Sequence, residues 1–201
     1  YCIIYDMNMA DKLKNYIKSI PNRIKKLFEG LTPGRFLILL GVELFFIGLV
    51  IAADLLTKEF VYQPLKDTGR DYIIIKKVLV LTPVENTGAS FGIFQDSTTA
   101  LAIISIITVV IVSVLQVFTI KNRNFFLRSG LVMIIAGGIG NLVDRLTLGY
   151  VRDFVYFELI DFAVFNLADS ALTVGVIFIL IFILFYYMPE DKKKAKKEET
   201  P

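Results

Sequence analysis

The sequence predicts an all-α membrane protein in which four transmembrane helices carry a small extracytoplasmic β-containing subdomain after the first helix. Three observations predict it. Four apolar runs, at about 36–53, 98–120, 127–143 and 168–188, are each long enough to cross the hydrocarbon of a bilayer. Between the first two lies Asp71–Val84, DYIIIKKVLVLTPV, whose β-branched residues point to a strand. Lysine and arginine are unevenly divided, with 15 of 22 before the first run, in the 121–128 turn or after the last run. Basic residues gather in cytoplasmic segments, so both termini are expected in the cytoplasm and the 54–97 and 144–167 loops outside.

Composition narrows the chemistry. A chain of 201 residues that is 55% hydrophobic, with a mean hydropathy of +0.64, is polytopic rather than soluble or disordered. It has no histidine and one cysteine, Cys2. That removes HExxH zinc sites, Ser–His triads, Cys–His pairs, His-ligated haem or copper, and any internal disulfide. Hydrolysis by this chain must run on carboxylates, lysine or a lone hydroxyl. No cofactor or metal is expected, nor a nucleic-acid partner or an obligate protein partner.

Residues 1–35 read as an N-terminal tail, with Met9 a candidate start after an upstream extension. Within it, Leu13, Tyr16, Ile17, Ile20, Ile24, Leu27 and Phe28 recur at helical spacing among lysines and arginines. This is a basic amphipathic segment, interrupted at Pro21, that either lies on an anionic membrane face or is a solvated tail. Phe36–Ala53 is apolar except for Glu43, which should be protonated or face a neighbouring helix. The strand in 71–84 should end at Pro83 and lie outside the bilayer, because lipid leaves its backbone groups unsatisfied. After the 98–120 span, Lys121–Asn124 is a short basic turn, and Arg128 stands near the start of the third span. Ala136, Gly137, Gly138 and Gly140 thin that helix for tight packing or for access by an extended substrate. Residues 189–201 form a basic cytoplasmic tail.

Chemistry concentrates in Gly137–Asp169, which holds Asp144, Asp153, Asp161 and Asp169 with Arg145 and Arg152. Carboxylates at the edge of lipid are costly and are functional-site candidates by default. Asp153 follows the outer end of the third span and Asp169 opens the fourth, 16 residues on, so the two converge if the loop folds back. Two carboxylates sharing a site do not both ionise, so one activates water while the other donates a proton. Spacing alone favours a helix cap at Asn166, with Asp169 three residues later at the helix N-terminus, over catalysis. Asp144 is expected to hold Arg145 as a plain ion pair, and Asp161 to be a solvated loop residue. Asp54 and Lys58, at i,i+4, are either a membrane-edge ion pair or a support for the site.

Four blocks carry a resemblance. Asp54-Leu55-Leu56-Thr57-Lys58, Asn86-Thr87-Gly88-Ala89-Ser90-Phe91, Gly140-Asn141-Leu142-Val143-Asp144-Arg145 with Val151-Arg152-Asp153-Phe154, and Phe165-Asn166-Leu167-Ala168-Asp169 resemble, in order, the signature blocks of bacterial lipoprotein signal peptidases. Leu55 departs from the glutamine usual in the first block. The resemblance implies an intramembrane aspartic endopeptidase with Asp153 and Asp169 as its dyad. It also implies supporting or substrate-binding roles for Asn86, Gly88, Asn141, Asp144, Arg145, Asn166 and Ala168, with Arg145 near the substrate's glycerol or backbone carbonyls. The implied substrate is a diacylglyceryl-modified prolipoprotein, cut N-terminal to its lipidated cysteine at the outer face of the bacterial cytoplasmic membrane, with membrane lipids as the other partner.

Two rivals stand beside that reading. A small proton-coupled transporter would use the same acids as a relay, but it should carry them at mid-membrane and show an internal repeat, and neither is present in the sequence. A non-catalytic protein that binds lipidated peptides would be expected to have lost a dyad aspartate.

Overall fold

The computed structural model describes residues 28–88 and 97–187, with positions 14, 18, 19, 21, 22, 25 and 26 before them. The N-terminal amphipathic segment lies largely outside the described residues; Ala89–Gly92 and the basic tail lie wholly outside them.

Helix α1 (Pro33–Thr57) starts where Thr32 accepts from the Arg35 amide and Pro33 occupies the first turn, which needs no amide donor. It does not stop at Asp54. The chain continues through a π turn, Lys58–Tyr62, into α2 (Gln63–Thr68), which Gly69 ends in the left-handed conformation at φ 61°. Asp54 and Lys58 are satisfied within and around the helix, so their polarity does not break it.

The predicted strand is a hairpin, β1 (Tyr72–Ile75) and β2 (Leu79–Asn86). Pro83 lies inside β2 rather than at its end. The β2–β3 register shifts between Leu81 and Val84, and this irregularity accommodates the missing amide donor. β3 (Val151–Tyr156), within the segment expected to be loop, pairs antiparallel with β2 and completes a three-stranded sheet of order β1-β2-β3. A 3₁₀ turn at Glu158–Ile160 follows it.

The remaining helices are α3 (Thr98–Phe118), α4 (Phe125–Thr147), capped by the Asn124 side chain, and α5 (Leu167–Phe182), extended by a π turn over Ile183–Tyr187. With the α1–α2 unit they make four helices long and apolar enough to cross a membrane. α4 is the central one: 56% of its most apolar window is buried, against 6–17% in the others, whose exposed apolar surface suits lipid. Ile47 of α1 packs with Val132, Ile135 and Ala136 of α4. α4 and α5 meet backbone to backbone. A Cβ built on Gly137 would stand 2.4 Å from the Ala168 carbonyl oxygen, so packing is what excludes a side chain there.

Glu43 faces neighbours. Its carboxylate accepts from Arg128 of α4, with Nε at 2.7 Å, and from Gln116 Nε2 of α3 at 2.9 Å. Arg128 also donates to the Gln116 carbonyl and to Thr119 Oγ1. One intramembrane cluster thus ties three helices.

Candidate active site

Four elements converge where α4 ends and α5 begins. β3 supplies Asp153, the first turn of α5 supplies Asp169, α4 supplies Asn141, Asp144 and Arg145, and α1 with its π turn supplies Asp54 and Lys58.

Asn166 joins the two candidate catalytic acids. Its Nδ2 donates to Asp153 Oδ1 at 2.7 Å and to Asn141 Oδ1 at 2.9 Å, while its backbone amide donates to Asp169 Oδ2 at 3.2 Å. Asn141 Nδ2 donates to Asp169 Oδ1 at 2.7 Å, and Asn86 Nδ2 donates to Asp153 Oδ2 at 2.9 Å. Each carboxylate therefore receives two donors, and each is fixed by an asparagine on another element. Asn166 also accepts from the Asp169 amide, completing a capping box on α5. The helix-cap and dyad-support readings of Asn166 are one geometry.

Beneath the pair lies a buried ion network. Lys58, fully buried, donates to Asp54 Oδ2 at 2.7 Å and to Asn141 Oδ1 at 3.3 Å, and its ammonium is 3.2 Å from Asp144 Oδ2. Asp54 Oδ1 accepts from the Ala168 amide at 2.9 Å, which holds the start of α5 against α1. Gly140 leaves room for Asp54: a Cβ there would sit 2.6 Å from Oδ2. Asp54 and Lys58 are therefore ion-paired, and the pair is also bonded to the Ala168 amide and to Asn141.

Asp144 does not hold Arg145. Adjacent residues on a helix point in different directions, and Asp144 instead receives three groups of Arg152: the amide at 3.0 Å, Nη2 at 2.8 Å and Nε at 3.2 Å. Arg152 is the site residue that sequence reading missed. A basic residue beside Asp153 on an alternating segment, with one acid left to satisfy, was the available signal. Arg145 turns the other way, lies within electrostatic reach of Asp169 and Asp153, and donates to the Gly88 carbonyl at 3.3 Å. Its Nε is buried without a hydrogen-bond partner among the described residues. Gly88 also donates its amide to Asn86 Oδ1. Asp161 stands apart, accepting from the Tyr156 hydroxyl.

The charges of this cluster do not cancel. Asp54, Asp144, Asp153 and Asp169 are four acids, and Lys58, Arg145 and Arg152 are three bases. Asp54 and Asp144 are taken up by Lys58 and Arg152, which leaves Arg145 facing two carboxyls. A buried, unbalanced carboxylate takes a proton rather than stay charged. Asp153, 1% exposed, is the group so placed outside the spans: burial and then the charge of Asp169 push its carboxyl up to about 7. Beside Asp169 opens a cavity of about 440 Å³, lined mainly by apolar groups including Phe157, Ile160, Phe165 and Val174.

A family model for signal peptidase (SPase) II matches residues 46–185, which includes every residue of this site. The lipoprotein signal peptidase of Lactobacillus johnsonii is 39% identical over 137 residues, covering 68% of this chain and 88% of that protein. That of Streptococcus pneumoniae is 40% identical over 136 residues, covering 68% and 88%. A bacterial membrane enzyme structure solved by the in meso method at 2.3 Å resolution superposes with a TM-score of 0.63 at 32% identity, covering 80% of this chain and 94% of that one. A site of two asparagine-held aspartates on a four-helix membrane scaffold and a match spanning all four blocks lead to one conclusion: the chain belongs to the signal peptidase II family.

Proposed function

We propose that Asp153 and Asp169 are the dyad with which this signal peptidase II, an aspartic protease that removes signal peptides from prolipoproteins, cuts its substrate. The observation that carries the assignment is the charge imbalance: one proton is needed between the two carboxyls, and the surrounding asparagines hold both in place. Asp169 is the better placed to stay ionised. It lies at the third position of α5, where the helix dipole favours a negative charge, and it faces Arg145. Asp153 is the proton-bearing member, being buried and hydrogen-bonded to the side-chain amides of Asn86 and Asn166.

In this reading Asp169 takes a proton from water as the oxygen attacks the scissile carbonyl. Asp153 donates its proton to the developing oxyanion; on collapse Asp169 passes the proton it took from water to the leaving amine as the C–N bond breaks, and the hydroxyl proton returns to Asp153. Arg145 and the Gly88 backbone orient the substrate; the unpartnered Arg145 Nε is a donor available to a carbonyl or glycerol oxygen. The apolar cavity beside Asp169 takes apolar groups adjoining the scissile bond. The substrate's cysteine carries diacylglycerol, which holds the cleavage point at headgroup level, and the excess of basic residues near both termini supports an outward-facing site. The transporter alternative is not favoured by relatives that are lipoprotein signal peptidases.

The test is cleavage of a diacylglyceryl-modified prolipoprotein by the purified protein in detergent, beside Asp153→Asn and Asp169→Asn. Each variant should stay folded, bind substrate and lose about 10²–10⁴-fold in rate. If a folded variant cuts at the wild-type rate, that residue is not in the dyad. Wild type that binds the lipidated substrate without cutting it would leave the peptide-binding alternative.

A further inference from the structure

The hairpin β1–β2 presents a surface that catalysis does not use. Tyr72, Ile73, Ile74 and Ile75 are 64%, 60%, 48% and 53% exposed, although alternate residues of a strand point to opposite faces. Both faces of this edge strand are therefore bare and apolar. A four-residue apolar edge open to water on both sides is a pairing hazard. Charge surrounds it: Arg70, Lys76 and Lys77 are exposed, against one acid in the same stretch, Asp71. Lys77 occupies the left-handed region at φ 61°, where a side chain is unfavourable by about 1–2 kcal/mol and glycine is the usual occupant. The turn thus carries a lysine at a position that disfavours one.

The register ties the hairpin to the strand that carries Asp153. Tyr72 pairs with Leu81 and Leu81 with Val155; Ile73 pairs with Val80 and Val80 with Tyr156. The same rows lead directly to Leu159 and Ile160, which are 69% and 68% exposed, and Phe60 and Leu146 on the helices below are 72% and 65% exposed. Bare apolar side chains thus recur on several elements at the site end of the bundle, and such surface suits contact with lipid.

We propose that the β1 hairpin is an interfacial anchor: Tyr72–Ile75 insert among the acyl-chain ends while Arg70, Lys76 and Lys77 contact anionic phosphates of the same leaflet. Amphipathic aromatic and basic residues side by side suit that boundary. Neutral lipid would satisfy the apolar strand alone, whereas the basic turn selects anionic headgroups. The proposal does not depend on the dyad assignment.

The chain contains no tryptophan, so Ile74→Trp introduces a single reporter. In vesicles of phosphatidylcholine with phosphatidylglycerol, its emission should be blue-shifted and quenched by lipids brominated near the top of the acyl chain. Adding Lys76→Glu and Lys77→Glu should weaken that quenching in phosphatidylglycerol and leave it unchanged in pure phosphatidylcholine. Far-ultraviolet circular dichroism and size-exclusion elution matching wild type establish that each variant is folded. Water-like emission indifferent to bromination overturns the proposal. So does a blue shift that bromination leaves alone and that fades as protein is diluted in lipid, which would mean that β1 pairs with a second copy. Quenching that is the same with and without phosphatidylglycerol overturns the anionic part.

Discussion

Gly137→Ala tests whether the α4–α5 contact sets the catalytic geometry. The new Cβ would lie 2.4 Å from the Ala168 carbonyl oxygen and 3.1 Å from the Leu172 amide nitrogen. Ordinary contact begins at 3.4 Å, so the helices must part by about 1 Å, the difference between 3.4 and 2.4. Backbone atoms cannot rotate away as a flexible side chain can. Overpacking of this kind costs about 1–3 kcal/mol, while alanine gains up to about 1 kcal/mol over glycine in a helix interior. Gly48→Ala supplies the control, because a Cβ there meets nothing within 4 Å and keeps only the helix gain. The helix gain is common to both variants, which should therefore differ by the overpacking cost alone, roughly 1–3 kcal/mol in unfolding free energy.

The rate should fall further than the stability does. Ala168 is held on its other side by Asp54, and the next residue is Asp169. A shift of about 1 Å in a reacting group costs on the order of 10²-fold. The assay is initial cleavage rate at a temperature where both variants are folded, beside unfolding followed by circular dichroism in detergent. Gly137→Ala with the stability and rate of Gly48→Ala would refute the close-approach argument.

Three further outcomes follow from the buried charges. Because the Asp153 carboxyl keeps its proton up to about 7 and an unfolded aspartate loses it near 3.8, folding takes up a proton between these values. Stability from this group is thus full below about pH 4 and is lost as pH rises to 7, by roughly 4 kcal/mol at most; Asp153→Asn should be the more stable protein at pH 8 and lose that advantage at pH 5, and the wild-type cleavage rate should decline above about pH 7. Arg128→Leu leaves Glu43 uncompensated inside the bundle and should cost about 3–5 kcal/mol, most of which Glu43→Leu added to it should recover; thermal unfolding of the single and double variants checks the pair. Lys58→Met removes a cation that acts on both dyad carboxyls and the donor that fixes the Asn141 amide, so the pH–rate profile of whatever variant protein folds should move to higher pH; an unmoved profile would make Lys58 a packing residue only.

How far the sequence carried this fold depends on which force shaped each element. The spans were legible because apolar length alone decides them: the run at 98–120 is α3, Thr98–Phe118. Ends were less legible, since a polar residue stops a span only if water must solvate it. Asp54 and Lys58 are instead solvated by Asp144, Asn141 and the Ala168 amide, residues at least 82 positions distant, so α1 runs on. Pro83 reads as a strand stop until the register shift that admits it is known. β3 was hidden because its inward positions carry Val151 and Asp153, a pattern that shows a strand only once the buried acid has been explained. The acids and the asparagines beside them, Asn141 and Asn166, stand out in their blocks, whereas the cation on Asp144 does not: Arg152 rather than Arg145 neutralises it, a choice that adjacency on a helix already disfavoured.

Asp169 shows why cap and catalyst are not competing readings here. At the third position of a helix the dipole and the Asn166 amide favour the ionised carboxylate, against the burial that opposes it. That is the state a base toward water requires. The same cap makes Asn166 spend its Oδ1 on the Asp169 amide and frees Nδ2 for Asp153, so the signal that begins α5 also sets the spacing between the two acids. A chain without histidine has no side chain whose ordinary pKa lies near neutrality. It obtains one by burying Asp153 among groups that leave a single carboxyl unbalanced. In the proposed dyad the four-against-three charge count supplies the shared proton, and adding a fourth cation beside it should abolish proton sharing, and with it cleavage, even with both aspartates intact.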